Sequence, residues 1–188
     1  MRSSNPKLIR SLLLAIFLLY SPTGLTDQKD SRLDDLFITL RSSDDPTALR
    51  YAESQIWEIW HQSGEAEVDQ MMEEGRKAVT AGELAIAEQI YSQVIDRLPE
   101  FSEGWNRRAT VRYYRQDYEG SLDDIRQTLL LEPRHFGAIW GLGMILGWQQ
   151  EFSAAITAFE RLLEIKPNAG DARPRIQMLR EELEKSTI

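Results

Sequence analysis

Apolar residues recur at intervals of three and four along most of the chain, in stretches of helical length separated by short polar turns. The stretch Ala85-Ile86-Ala87-Glu88-Gln89-Ile90-Tyr91-Ser92-Gln93-Val94-Ile95 shows the rule, with a single stripe set to be buried and a polar back. Earlier, Leu33, Leu36, Phe37 and Leu40 make one such stripe. After the helix-start signal Ser42-Ser43-Asp44-Asp45-Pro46, the residues Ala52, Ile56, Trp57, Ile59 and Trp60 make another. Near the end, Ile176, Leu179 and Leu183 mark a closing helix whose outer face carries Arg175, Arg180 and Glu184. The pattern predicts an all-α protein.

The helices repeat. Pro99, Pro133 and Pro167 stand 34 residues apart, and each closes an apolar helical stretch. Counting back from each proline as position 32 gives units 68–101, 102–135 and 136–169. Position 8 then holds Gly75, Ala109 and Gly143, small residues that let two paired helices approach closely. Position 20 holds Ala87, Ser121 and Ala155, and position 24 holds Tyr91, Ile125 and Phe159. Positions 4 and 17 are large and apolar, with Met71, Trp105 and Ile139, then Leu84, Tyr118 and Phe152. Gly82 and the pair Gln116-Asp117 fall at turns between helices.

With these positions in phase, the chain resembles the tetratricopeptide repeat family. The resemblance implies a helical-hairpin superhelix, a right-handed α-solenoid, with flanking capping helices. Such hairpins bury their stripes only by stacking, and about three are the minimum for independent stability. The expected organisation is a signal peptide over 1–26, a linker and amino-terminal capping hairpin over 27–67, three repeats over 68–169 and a capping helix over 170–188. The hairpin lacks the small residues of a repeat and is expected to stand where a preceding repeat would.

The resemblance also implies that the first helix of each repeat lines a concave groove. The partner-binding candidates there are Met72, Arg76, Asn106, Thr110, Tyr113, Tyr114, Trp140, Met144 and Trp148, rich in the aromatic and Met side chains that anchor interfaces. Asp69, Val79, Thr80 and Glu103 share those positions. Gly137, Gly141 and Gly147 each cost roughly 1 kcal/mol against Ala in a helix. Gly137 and Gly147 lie on the groove side and are expected to leave room beside Trp140 and Trp148 for an inserted helix or extended peptide. Replacing Trp140 and Tyr113 by Ala is expected to abolish capture at little cost in stability. Family members that grip acidic carboxyl termini use a basic and amide clamp, whose places here hold Met72, Arg76, Arg107, Gly137 and Gly141. Tight binding of an acidic terminus is therefore not expected.

The first 26 residues change the picture of where the chain works. Arg2, Lys7 and Arg10 precede nine apolar residues, Leu12 to Tyr20, and then Ser21-Pro22-Thr23-Gly24. That is the form of a secretory signal peptide, well short of the about 20 residues a membrane-spanning helix needs. Export to a bacterial periplasm is expected, since the chain has no Cys and no glycosylation sequon. The alternative is an inner-membrane anchor formed by an uncleaved segment. Otherwise membrane contact is expected to be only transient, through the signal peptide.

Composition removes other functions. The formal net charge is −8, with 30 Asp+Glu against 22 Lys+Arg, so nucleic acid is not an expected partner. Without thiols, zinc ribbons, redox sites and cysteine nucleophiles are excluded. His61 and His135 have no ligand-spaced companions, so no metal is expected, and both are read as surface or junction residues. Gly141-Leu142-Gly143-Met144-Ile145-Leu146-Gly147 follows no strand and is not a nucleotide loop. Arg107, Arg108, Arg112 and Arg115 make the second unit basic, with Arg108 placed to pair with Asp124 across its two helices. No residues suggest a catalytic set and no cofactor is expected. The expected function is a non-catalytic periplasmic scaffold or adaptor that holds a protein or peptide in its groove. A structural or oligomerisation subunit of an envelope assembly is the alternative.

Overall fold

The computed structural model describes residues 29–186, so the expected signal peptide lies outside the described residues. Within them the chain is helical, a stack of paired helices. The helices are α1 (Arg32–Ser42), α2 (Pro46–Trp60), α3 (Ala66–Thr80), α4 (Leu84–Arg97), α5 (Ser102–Tyr114), α6 (Tyr118–Leu131), α7 (Phe136–Trp148), α8 (Phe152–Ile165) and α9 (Ala172–Ser186). Asp45 caps α2, its carboxylate accepting from the Thr47 N–H at 2.9 Å, with Pro46 in the first turn. Asp117 caps α6 in the same way through the Gly120 N–H. Helices α4, α6 and α8 stop two residues before Pro99, Pro133 and Pro167, which cannot continue a helix.

The three pairs α3–α4, α5–α6 and α7–α8 are built alike. The middle residue of each three-residue turn, Gly82, Gln116 or Gln150, takes a left-handed backbone with φ of 77°, 63° and 63°. Position 8 is tight for a steric reason. A Cβ on Gly75 would lie 2.5 Å from Cε1 of Tyr91, and one on Gly143 would lie 2.7 Å from Cζ of Phe159. In the second pair the basic residues are consumed internally. Arg108 grips Asp124 with two hydrogen bonds of 2.9 and 2.8 Å and also reaches Ser92 on α4. Arg112 bonds Glu88 at 3.0 Å and lies 3.0 Å from Asp124, and Arg115 also pairs with Glu88. These pairs tie α5 to its own partner helix and to the preceding repeat, leaving no basic patch.

Helix α9 closes the stack by burying Ala172, Ile176 and Leu179. Arg180 and Glu184 stay exposed on its outer face, and the arginines also reach neighbouring helices. Arg180 reaches Glu160 on α8 at 2.7 Å, and the Arg175 guanidinium lies 5.6 Å from the Trp140 ring centre.

The amino-terminal hairpin departs from expectation. It does not stand in front of α3 as a preceding repeat. Instead α1 and α2 turn back and pack on α7 and α8, sharing one core with Phe136, Ile139 and Ala155. The reversal follows Trp60, where Gly64 takes φ 79° and buried Ser63 bonds Asp69. Trp60 is fully buried, stacked on the His135 ring at 4.2 Å and 4.9 Å from Phe136. Trp57 meets Phe136 edge-on at 5.0 Å. Ion pairs Asp34–Arg134 and Glu53–Lys166 frame this contact. The physical reason is that the two tryptophans find aromatic partners at the head of α7, whereas α3 and α4 fill their own core with Val68, Val94, Leu98 and Phe101.

Candidate functional site

Helix α5 presents Asn106, Ala109, Thr110, Tyr113 and Tyr114 on one face, at the three- and four-residue spacing that aligns side chains along a helix. Helix α7 opposes them with Trp140, Gly141 and Met144. Between the two lies a cleft of about 200 Å³ whose floor is Ser121 and Ile125 of α6. No Asp, Glu, Lys, Arg or His lines it. Six of the nine sequence-predicted residues meet here, namely Asn106, Thr110, Tyr113, Tyr114, Trp140 and Met144.

The other three stand elsewhere. Met72 and Arg76 border a separate depression with His61, Asp69, Glu73 and Arg107, and Arg76 is held by Glu73 through bonds of 2.7 and 2.6 Å. Trp148 lies beyond the cleft beside Met178 and Leu179, with 68% of its surface exposed. It is linked to the cleft by a chain of rings. Tyr114 is 5.9 Å from Tyr113, Tyr113 is 5.7 Å from Tyr118, and Tyr118 stacks on Trp148 at 6.1 Å. Tyr118 belongs to this ladder although its repeat position marks it as a packing residue. Its partial exposure is a tertiary property that spacing does not encode.

One end of the groove is closed by the chain itself. Glu103 is fully buried rather than lining the concave surface. Its carboxylate accepts from Asn106 Nδ2 at 2.8 Å and Arg107 Nε at 2.5 Å, and His135 Nε2 lies 3.0 Å away. His135 Nδ1 accepts the Ala138 N–H, so its ring proton sits on Nε2 and is donated to Glu103. His61, at the end of α2, brings Nε2 to 3.2 Å from Glu103 and beside Arg107, while its ring stacks on Trp57. Burial alone pushes the Glu103 carboxyl up. The Arg107 guanidinium and the hydrogen bonds from His135 and His61 outweigh it and hold the group well below the usual carboxylate range. The histidines are thus more than junction residues, since both join this knot between α2, α5 and α7.

The glycines divide accordingly. A Cβ on Gly137 would lie 2.9 Å from Cη2 of Trp57, and one on Gly147 would lie 3.4 Å from Cδ2 of Leu179. At Gly137 the space expected for an outside segment is taken by Trp57 of α2, whereas at Gly147 Leu179 of α9 stands at ordinary contact distance beside the depression that Trp148 also borders. At Gly141 the nearest atom is Ile125 Cδ1 at 3.4 Å, and that glycine keeps the cleft deep. Trp140 and Tyr113 are partly buried and packed against core residues, Trp140 meeting Phe159 at 5.1 Å. This packing predicts that their replacement by Ala costs stability as well as capture. No group of three or more His, Cys, Asp or Glu among the described residues is placed to hold a metal, and no described helix is long and apolar enough to cross a membrane.

Comparison with known proteins places this geometry. The TPR repeat-containing protein of Rhizobium etli is 34% identical over 152 residues, which cover 81% of this chain and 74% of that protein. The small glutamine-rich tetratricopeptide repeat-containing protein 2 of Mycosarcoma maydis is 23% identical over 122 residues, 65% of this chain and 35% of that protein. Among solved structures, the first TPR of Spaghetti (RPAP3) bound to HSP90 peptide SRMEEVD superimposes with a TM-score of 0.60 at 21% identity, covering 62% of this chain and 92% of that one. The Sgt2 TPR domain from Aspergillus fumigatus gives a TM-score of 0.61 at 19% identity, with 65% and 83% covered. A scan against models of protein families matches none.

Proposed function

This chain belongs to the tetratricopeptide repeat family, and from that premise we propose that it is a non-catalytic adaptor, exported to the periplasm, that holds a segment of a partner protein in the cleft between α5 and α7. The observation that carries this reading is the cleft itself. It is uncharged and lined by aromatic and Met side chains, and it continues into the exposed rings of Tyr114 and Trp148. Large apolar side chains left in water on one connected strip are the anchors of interfaces, where a few residues supply most of the affinity. Nearby charges do not compete for this role, because Arg107, Arg108, Arg112 and Glu103 are bound to one another or to neighbours within the fold. Export rests on the basic start and apolar run of the first 26 residues.

The test is affinity capture from the envelope fraction with the protein and with the double variant Tyr114→Ala/Trp148→Ala. Both side chains are mostly exposed, at 58% and 68%, so the variant keeps its fold. A partner retained by the parent and lost by the variant supports the reading. Equal capture by both moves the binding site away from this strip.

A further inference from the structure

We infer that the segment held in the cleft is an extended, proline-rich one in the polyproline II conformation, an inference that rests on the reading of the cleft as a protein-binding groove. The walls set the first condition. They are helices, whose backbone N–H and C=O groups are used internally, so the cleft offers no free edge on which a β-strand could pair. Recognition has to come from side chains.

Those side chains are neutral and rich in hydrogen-bond donors. The hydroxyls of Tyr113 and Tyr114 and the indole N–H of Trp140 make no hydrogen bond among the described residues. A ligand that covers them without supplying acceptors strands buried donors, which is costly. An α-helical ligand that meets them with an apolar face does this, because its carbonyls are already bonded along its own axis. A polyproline II segment has no internal hydrogen bonds, so its carbonyls are free to accept. Proline brings no N–H, so seating it leaves no donor of its own unpaired. Its rings are apolar and suited to the faces of Tyr113, Tyr114 and Trp140, and its conformation is fixed before binding.

Charge points the same way. An acidic carboxyl terminus would find no free cation in the cleft. At the closed end Arg107 is bonded to Glu103 and Trp57 covers Gly137, while Arg76 is bonded to Glu73 in another depression. An uncharged ligand loses nothing by entering.

The test is fluorescence anisotropy on the purified protein with three labelled probes of equal length. One is an oligoproline, one an alanine- and leucine-rich amphipathic helix, and one a flexible peptide ending in Glu-Glu-Val-Asp. The expected result is saturable binding of the oligoproline at least about tenfold tighter than either other probe. Tyr113→Phe and Tyr114→Phe, which remove only a hydroxyl, are each expected to weaken it about 2- to 10-fold. Gly141→Ala, which adds a methyl group to the α7 wall of the cleft, is expected to weaken it by more than tenfold. Tighter binding of the helical probe, lost in Gly141→Ala, overturns the proline inference while keeping the cleft as the binding site. Oligoproline binding unchanged in all three variants places it elsewhere and overturns the inference. Failure of every probe overturns it too, and the capture experiment with Tyr114→Ala/Trp148→Ala then decides separately whether the strip binds a partner.

Discussion

Gly141 and Gly143 lie two residues apart on α7, and replacing each by Ala is expected to shift stability in opposite directions. At Gly143 the added carbon would stand 2.7, 2.8 and 2.9 Å from Cζ, Cε1 and Cε2 of Phe159. Carbon atoms prefer about 3.5–4.0 Å, so three ring atoms are overlapped at once. Phe159 has no easy retreat, being 1% exposed with Trp140 against it. Overpacking of this kind costs about 1–3 kcal/mol, and the triple overlap places it near the upper end. Gaining Ala in a helix returns about 1 kcal/mol, for a net loss of about 2 kcal/mol. At Gly141 the nearest atom is the mobile tip of Ile125 at 3.4 Å, an ordinary contact. The helical gain of up to about 1 kcal/mol then stands unopposed. For a chain of this size 1 kcal/mol moves Tm by about 2–4 °C, so Gly143→Ala should melt about 4–8 °C lower and Gly141→Ala about 2–4 °C higher. Urea titration followed by circular dichroism measures the same difference, with the m-value checking that the transition stays cooperative. Two shifts of the same sign would refute the packing argument, and a neutral Gly143→Ala would show that the approach of α7 to α8 is not fixed at that residue.

Trp60→Ala is expected to cost about 3–5 kcal/mol, and Trp60→Phe markedly less, because the buried indole Nε1 has no hydrogen-bond partner to lose. In hydrogen exchange the Ala variant should lose protection first at α7 and α8, where the hairpin docks, and earlier loss in α3 would contradict that docking. Glu103 sets a pH dependence. Its carboxyl is held down in the folded protein against about 4.3 when unfolded, so its contribution is complete above that value and is lost as pH falls through the folded value. Glu103→Gln should therefore lower the urea midpoint clearly at pH 7 and progressively less below about pH 4, leaving Arg107, His61 and His135 without their shared anion. A deficit that stays constant down to pH 3 would refute the assignment.

What the sequence makes legible here is what a single helical period carries. The spacing of 16 residues between Gly75 and Tyr91, or Gly143 and Phe159, is a contact inside one hairpin, so a small residue at one place and a ring at the other already describe their packing. Asn106, Thr110, Tyr113 and Tyr114 fall together for the same reason, since one helix face is fixed by counting. The hairpin's docking site is not legible in this way. Trp57 and Gly137 touch across 80 residues, and amphipathic periodicity states that a face is buried without naming what covers it. Apolar stripes on α1 and α2 suit a place before α3 as well as the head of α7. The choice was made by His135, Phe136 and the opening above Gly137, none of which belongs to a local pattern.

One trace of that choice was nevertheless present. Helix α7 carries Gly137, Gly141 and Gly147 beyond the glycine its packing requires at 143, each at roughly 1 kcal/mol, and such a cost implies that something large uses the space. Assigning the space at Gly137 to an outside ligand is the step that fails. Trp57 from α2 overlaps the place a side chain would take at Gly137, and Leu179 from α9 borders Gly147 at contact distance, so the chain's own tertiary contacts use part of that space. At Gly141 the missing side chain opens into the cleft, with Ile125 beneath it and Trp140 and Met144 as neighbours on the same helix, while Gly137 lines the same cleft under Trp57. A glycine that stability alone would replace by Ala, lining an uncharged aromatic cleft, is the residue whose presence asks for a ligand.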